Sequence, residues 1–381
     1  MIMLKTLLAS VAFIALVNPA ANAVETKAKQ AVLTDFETGT VLFEKNADKP
    51  MPPASMSKLM TAYIIFEKLK NGSLHEDDVF IVSENAWRKG GAKTGSSTMF
   101  LRVNDKVKLK DLLRGIIVQS GNDACITAAE NIAGSESEFV KLANKKAEEM
   151  GLNDSHFVNS TGWPHPDHKM SPNDLIKLSG RLISDFPEYY GIYSEKEFTY
   201  NKINQKNRNT LLTEMSGADG IKTGHTSVSG YGLTASAVQN GRRLILVVNG
   251  LKSMKERSDE AQKLLNWGFR EFDNYAVLKQ DVNVVEIPVW LGKKAFVPAV
   301  PETGLVLTLP KGEQKKIKAV VKYDAPLKAP VEKGRKIGTV SISVPEREDI
   351  VINLVAADDV ERLDYFGRMK ATLKYLLLKR I

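Results

Sequence analysis

The strand-forming runs in the first 275 residues lie at the two ends of that region, and helical patterns fill the space between them. Residues 30–36 and 40–44 alternate apolar and polar side chains around Glu37-Thr38-Gly39, the pattern of a hairpin. Residues 232–238 and 243–248 form a second pair joined at Asn240-Gly241, and 255–272 follows with the spacing of a long helix. In between, 56–69, 109–118, 124–133 and 139–150 repeat apolar residues at helical intervals. Strands so far apart in the chain share one sheet only if the intervening helices pack on its faces. The region therefore predicts one α+β unit whose sheet is assembled from distant segments.

After Asn274 the pattern changes. Valine-rich alternating runs at 282–289, 304–309, 317–321 and 336–344 are separated by Pro and Gly, which predicts a small all-β module. The module contains no histidine and reads as a spacer or protein-contact element. A chain of 381 residues has room for two domains at about 100–200 residues each.

Both ends carry localisation signals. Lys5, an apolar run from Leu7 to Val17, Pro19 and the small-residue pattern Ala21-Asn22-Ala23 form a secretory signal with cleavage expected after Ala23. The run is shorter than the ~20 apolar residues a spanning helix needs. At the other end Leu363, Phe366, Met369, Leu373, Leu376 and Leu377 recur on one helical face, while Arg368, Lys370, Lys374, Lys379 and Arg380 occupy the rest. That is the pattern of a helix lying in a membrane interface. The expected divisions are 1–23 signal, 24–275 catalytic, 276–358 β-rich and 359–381 amphipathic anchor. The single cysteine, Cys125, allows no internal disulfide and sits in an apolar stretch, so it reads as a buried core residue. The net charge of +8 is spread along the chain without any nucleic-acid-binding signature. An anionic polymer or membrane surface fits it better than nucleic acid.

Three short motifs carry chemistry. Ser55-Met56-Ser57-Lys58 opens the 56–69 helix, where residues three apart are neighbours and the Lys58 amine can take the Ser55 hydroxyl proton. Ser120-Gly121-Asn122 falls between two helical patterns, and Lys222-Thr223-Gly224 precedes a strand-like run. S-x-x-K, S-x-N and K-T-G in that order form the set used by penicillin-binding proteins and β-lactamases. A second K-T-G at Lys93-Thr94-Gly95 precedes Ser120 with no strand around it, so Lys93 reads as a loop residue bordering the cleft.

The chain resembles the serine-type D-alanyl-D-alanine carboxypeptidases, the low-molecular-mass penicillin-binding proteins. The likeness extends to Gly39-Thr40-Val41-Leu42, the 53–61 and 119–124 segments, Asn207-Arg208-Asn209 and the 219–226 segment, and in outline to the β module and tail. It implies a serine β-lactamase/penicillin-binding-protein-like catalytic domain, an antiparallel sheet with helices, followed by the small all-β domain and the amphipathic helix. It implies Ser55 as nucleophile, Lys58 as base with its pKa lowered by burial and by the charge of Lys222, and Ser120 as proton relay to the leaving amine. Asn122 would hold the substrate backbone, and the N–H groups of Ser55 and His225 would form the oxyanion hole. Arg208, with Thr223 and Lys222 alongside, would receive the substrate carboxylate, and Gly224 would belong to the substrate-binding set. No cofactor is implied. The implied partners are peptidoglycan stem peptides ending in D-Ala-D-Ala, β-lactams as covalent inhibitors, and a membrane surface. The expected place is the periplasmic face of the cytoplasmic membrane, with a role in wall remodelling and cell shape.

Rival readings rest on thinner features. A class A β-lactamase needs a deacylating glutamate, and Glu197 lies four before Asn201, but in an aromatic strand-like stretch close to Lys222. A metal hydrolase would draw on His165-Pro166-Asp167-His168, which prolines mark as a loop and which has no evident third ligand. A wall-binding structural protein would have little use for an intact motif set.

Overall fold

The computed structural model describes residues 24–378. The secretory signal read in 1–23, and Lys379 and Arg380 of the tail, lie outside the described residues. The described chain forms two compact units, Val24–Arg270 and the residues from Glu271 onward.

The first unit is built on a five-stranded antiparallel sheet assembled, as the strand patterns predict, from distant segments of the chain. Its strands are β1 (Gln30–Asp35), β2 (Val41–Lys45), β3 (Ala218–Thr226), β4 (Gly230–Gln239) and β5 (Arg242–Leu251), in the order β2-β1-β5-β4-β3. Distant segments meet where β1 pairs with β5, Val32 opposite Val247. The β1–β2 turn is tied by Asp35, whose Oδ1 accepts the N–H groups of Glu37 and Thr38 at 3.0 Å each. Its Oδ2 receives Arg242 Nε from β5 at 2.7 Å, so one buried carboxylate fixes both the hairpin and the sheet's long-range junction.

The helix expected over 56–69 begins differently. Residues Ala54–Ser57 form a 3-10 turn, and the α-helix runs over Lys58–Lys70. From Lys58 to Phe66 every side chain is buried, so this stretch of the helix is enclosed on all faces by the unit rather than lying on its surface. Phe66, fully buried, stacks on Tyr189 and meets Phe186 and Tyr193 edgewise or tilted at 5.3–6.3 Å. The remaining helical patterns appear as Leu109–Ile117, Asn122–Ala133, Glu136–Glu149 and Met254–Glu271.

In the second unit Phe272, expected as the end of the 255–272 helix, instead opens the strand Phe272–Leu278, which pairs with Leu305–Pro310. Six further strands make a second sheet in which all neighbours are antiparallel except Val285–Trp290 with Leu327–Lys328. Their inward residues, among them Ile287, Val297, Ile342 and Leu354, form a separate core. The tail helix, Tyr365–Leu378, starts where Asp364 Oδ1 accepts the Gly367 N–H. Tyr375 meets the Trp290 ring edgewise, yet Phe366, Met369, Leu373, Leu376 and Leu377 stay exposed. Among the described residues no helix is long and apolar enough to cross a membrane.

Candidate active site

The 3-10 turn at Ala54–Ser57 decides how the first motif works. In this tighter helix residues three apart eclipse one another, so Ser55 and Lys58 sit one above the other more directly than in an α-helix. Lys58 Nζ lies 2.9 Å from Ser55 Oγ. It also donates to Asn122 Oδ1 at 2.8 Å and to the Thr161 carbonyl at 2.5 Å. Ser55 is half-buried, whereas Lys58 is 1% exposed.

Burial above all, with a smaller contribution from the Arg208 charge, pushes the Lys58 amine down to about 8. Burial and then the Lys58 and Arg208 charges hold Lys222 well below the ordinary lysine range, and the repulsion between the two buried lysines is mutual. Lys222 reaches from the edge strand β3 to donate to Ser120 Oγ at 3.0 Å and to the Thr223 carbonyl at 3.2 Å. The two lysines thus form two pairs, Lys58 with Ser55 and Lys222 with Ser120.

Ser120 and Asn122 are delivered by the start of the Asn122–Ala133 helix. The segment is pinned by Gly121 N–H to the Gly115 carbonyl and Asn122 N–H to the Ser97 carbonyl, each at 2.8 Å. Next to them Asp123, fully buried, accepts from Thr98 Oγ1 and from the N–H groups of Met99, Leu101 and Ala124 at 2.6–3.1 Å. Burial pushes its carboxyl up and those four donors pull it back. Asp123 thereby joins the helix start to the 97–101 loop. Two glycines let backbone close over the nucleophile. A Cβ on Gly162, at φ +79°, would lie 2.0 Å from the Ala54 carbonyl, and one on Gly224 would lie 2.8 Å from that of Pro53.

These residues surround a groove of about 590 Å³. Ser55, Ser120, Asn122, Thr223, Gly224, His225 and Arg208 all line it, while Lys58 and Lys222 lie buried beside it. His225 stacks on Tyr231 at 3.9 Å, and burial and the Arg257 charge lower its pKa. Arg208 Nη1 donates to Ser97 Oγ at 2.5 Å, and its carbonyl accepts Arg257 Nη2 at 2.8 Å. Neighbouring Asn209 donates to the Gly220 carbonyl at 2.9 Å, tying the segment to β3.

Some lining residues escaped the sequence reading. Arg257, Trp163, Thr161 and Ser97 come from loops and a helix without a motif, and their spacing gave no signal. The second K-T-G borders the groove through Gly95, not through Lys93, whose amine sits 5.0 Å over the Trp87 ring. Glu197, in the strand Glu197–Tyr200, and Asn201 do not line the groove. His165 and His168 belong to a turn closed by the His168 N–H on the His165 carbonyl. Cys125 is buried, its thiol pushed up to about 12.

Comparison with known proteins gives a consistent result. Residues 17–253 match the family described as D-alanyl-D-alanine carboxypeptidase, and 272–362 match the penicillin-binding protein 5 C-terminal domain. The chain is 40% identical to the D-alanyl-D-alanine carboxypeptidase DacC of Escherichia coli K12, across 96% of this chain and 94% of that one. Penicillin-binding protein 5 of Haemophilus influenzae, known from crystal structures, is 39% identical with a TM-score of 0.77, over 90% of this chain and 99% of that one. Penicillin-binding protein D2 of Listeria monocytogenes, solved in an ampicillin-bound form, is 30% identical with a TM-score of 0.57, over 65% and 99%.

Replacing Asp123 with Ala strands three buried N–H groups and a hydroxyl together. The expected loss of stability is about 3–5 kcal/mol by denaturant unfolding of the mature chain, with Asp123→Asn losing distinctly less. Equal stability for Asp123→Ala and the wild type would show that the 97–101 loop is held by other contacts.

Proposed function

The chain belongs to the D-alanyl-D-alanine carboxypeptidase family and is a peptidase, and we propose that it removes the terminal D-alanine of peptidoglycan stem pentapeptides through an acyl-enzyme at Ser55. The observation that carries this reading is the three-way setting of Lys58 Nζ. A neutral amine has two N–H bonds and one lone pair. With Asn122 Oδ1 and the Thr161 carbonyl accepting the two N–H bonds, the lone pair is left for the Ser55 hydroxyl proton.

In this reading Ser55 Oγ attacks the carbonyl of the D-Ala-D-Ala bond as its proton passes to Lys58. The N–H groups of Ser55 and His225 stabilise the oxyanion. The C–N bond then breaks, the leaving amine takes a proton from Ser120 Oγ, and Lys222 replaces that proton. Water releases the shortened peptide from Ser55. The terminal carboxylate lies with Arg208 and Thr223, whose cationic surroundings carry no acidic side chain among the residues lining the groove. A β-lactam would acylate Ser55 by the same attack. Wall remodelling and cell shape are the corresponding cellular roles, and the site works from the periplasmic face of the cytoplasmic membrane after removal of residues 1–23. The exposed apolar face of Tyr365–Leu378, flanked by Arg368, Lys370 and Lys374, supports peripheral attachment there.

D-alanine release from a peptide ending in D-Ala-D-Ala, measured with residues 24–381, tests the central claim. Ser55→Ala should lower the rate by on the order of 10³-fold or more while leaving the unfolding transition in place. Undiminished release would mean that another group is the nucleophile. The pH dependence of acylation follows from the Lys58 amine at about 8. Only the neutral form accepts the proton, so the rate should fall as pH drops through that value, and a flat profile between pH 6 and 9 would remove Lys58 as the base. Ending the chain at Val360 should abolish co-sedimentation with anionic vesicles at unchanged D-alanine release. A truncated protein that still pelleted would place the attachment elsewhere.

A further inference from the structure

The Thr161 carbonyl is one of the two acceptors that orient the Lys58 amine, and the short segment that carries it is anchored from three sides besides Lys58 itself. Thr161 N–H and Oγ1 both donate to Asn159 Oδ1, at 3.2 and 3.0 Å, within the same loop. The Ser160 carbonyl accepts Thr61 Oγ1 at 2.8 Å, from the helix that starts at Lys58. The third anchor comes from a different helix. Glu136, the first residue of Glu136–Glu149, accepts both the Ser160 N–H at 3.1 Å and the Ser160 hydroxyl at 2.7 Å on the single oxygen Oε1.

Glu136 differs from the other two anchors in strength and in origin. Hydrogen bonds to a carboxylate are roughly twice as strong as those between neutral groups, and Asn159 and Thr61 offer only the neutral kind. Asn159 also belongs to the loop it ties and moves with it. Ser160 and Thr161 are each 4% exposed, so donors released by Glu136 would be left buried and unpaired. Glu136 does not line the groove. The titratable groups that act on the Lys58 amine are Cys125, Arg208, Asp123 and Lys222, and Glu136 is not among them. Its influence on Lys58 is therefore one of position, transmitted through Ser160 and Thr161. Position counts because the two N–H bonds of the neutral amine aim its lone pair. If the Thr161 carbonyl withdraws, the amine turns from the Ser55 hydroxyl and water takes the place of the lost acceptor. A misplacement of about 1 Å can cost on the order of 10²-fold in rate.

We propose that Glu136 is a positioning residue for acylation: through Ser160 it fixes the Thr161 carbonyl that aims the Lys58 amine at Ser55. The inference rests on the reading of Lys58 as base given above. The test is kcat/KM for D-alanine release against pH, for the mature chain and for Glu136→Ala, Glu136→Gln and Ser160→Ala. A wild-type profile flat between pH 6 and 9 would remove the parent reading together with this one. A sloping profile shared by the wild type and Glu136→Ala would remove this one alone.

Glu136→Ala should lower kcat/KM at pH 7 about tenfold or more. It should also move the acidic limb to higher pH, because water admitted at Nζ restores part of the hydration whose loss holds the amine down. Glu136→Gln keeps a carbonyl oxygen for the two Ser160 donors and should stay within about threefold of the wild type, with its limb in place. Ser160→Ala removes the hydroxyl arm alone and should move the limb in the same direction by less. It decides the matter if Glu136→Ala shows no cooperative unfolding transition. An acidic limb left in place or moved to lower pH in folded Glu136→Ala, or in Ser160→Ala where that variant decides, would overturn the proposal. So would a Glu136→Gln enzyme as impaired as Glu136→Ala, since charge rather than position would then be at work.

Discussion

The burial of a lysine amine among neutral acceptors is the constraint on which the catalytic unit depends. Lys58 is 1% exposed and held by a serine hydroxyl, an asparagine oxygen and a backbone carbonyl. None of these carries a full charge, so the protonated form loses its hydration without an ion pair in return. The same desolvation that makes the site costly lowers the amine into a range where it can act as a base. The enclosing helix, sheet and loops must exclude water from all sides of Nζ, and that requirement explains why the Lys58–Lys70 helix lies at the centre of the unit.

Charge is distributed along the groove with one sign. Lys58, Lys222, Arg208 and Arg257 depress one another's proton affinity in various combinations, and each is first depressed by burial. An incoming carboxylate at the arginine end would relieve that repulsion and favour protonated Lys222. Substrate binding and proton supply to Ser120 would then be coupled: the ligand that needs the leaving-group proton also stabilises the lysine that replaces it. Lys58, whose contacts are all to neutral acceptors, would stay available as the base of the proposed reaction.

The sheet, the helices and the three motifs were legible because each is a local pattern: alternation for strands, three-and-four spacing for helices, and short fixed spacings for Ser55-Lys58, Ser120-Asn122 and Lys222-Gly224. The groups that complete their geometry were not. Thr161 acts through its carbonyl, which any residue provides, so no side-chain pattern marks it. Arg257 lies on a polar helical stretch like any solvated face and becomes a groove residue only when Met254–Glu271 packs in place. The 3-10 start before Lys58 was also hidden, because apolar periodicity reports a helical face without distinguishing i+3 from i+4 hydrogen bonding. In the β unit the runs at 296–301 and 350–356 passed unmarked, since short strands punctuated by proline or flanked by acidic turns give weak alternation.

Two non-glycine residues with left-handed backbone stand next to the two serines: Ala54 at φ +48°, before Ser55, and Ser120 itself at φ +60°. Each such residue costs on the order of 1 kcal/mol or more and persists only where its surroundings over-determine it. Ala54 is clamped by Gly162 and Gly224, whose missing Cβ atoms admit the Pro53 and Ala54 carbonyls. Ser120 is clamped by the backbone bonds of Gly121 and Asn122 and by Asp123 one turn further on. The conformations hold the two hydroxyls toward their lysines, from segments that would otherwise continue as regular helix starts. Packing energy from the core is thus converted into the placement of two oxygen atoms, which is why Asp123, behind the groove, and Gly162, on its wall, govern whether Ser55 and Ser120 can face Lys58 and Lys222.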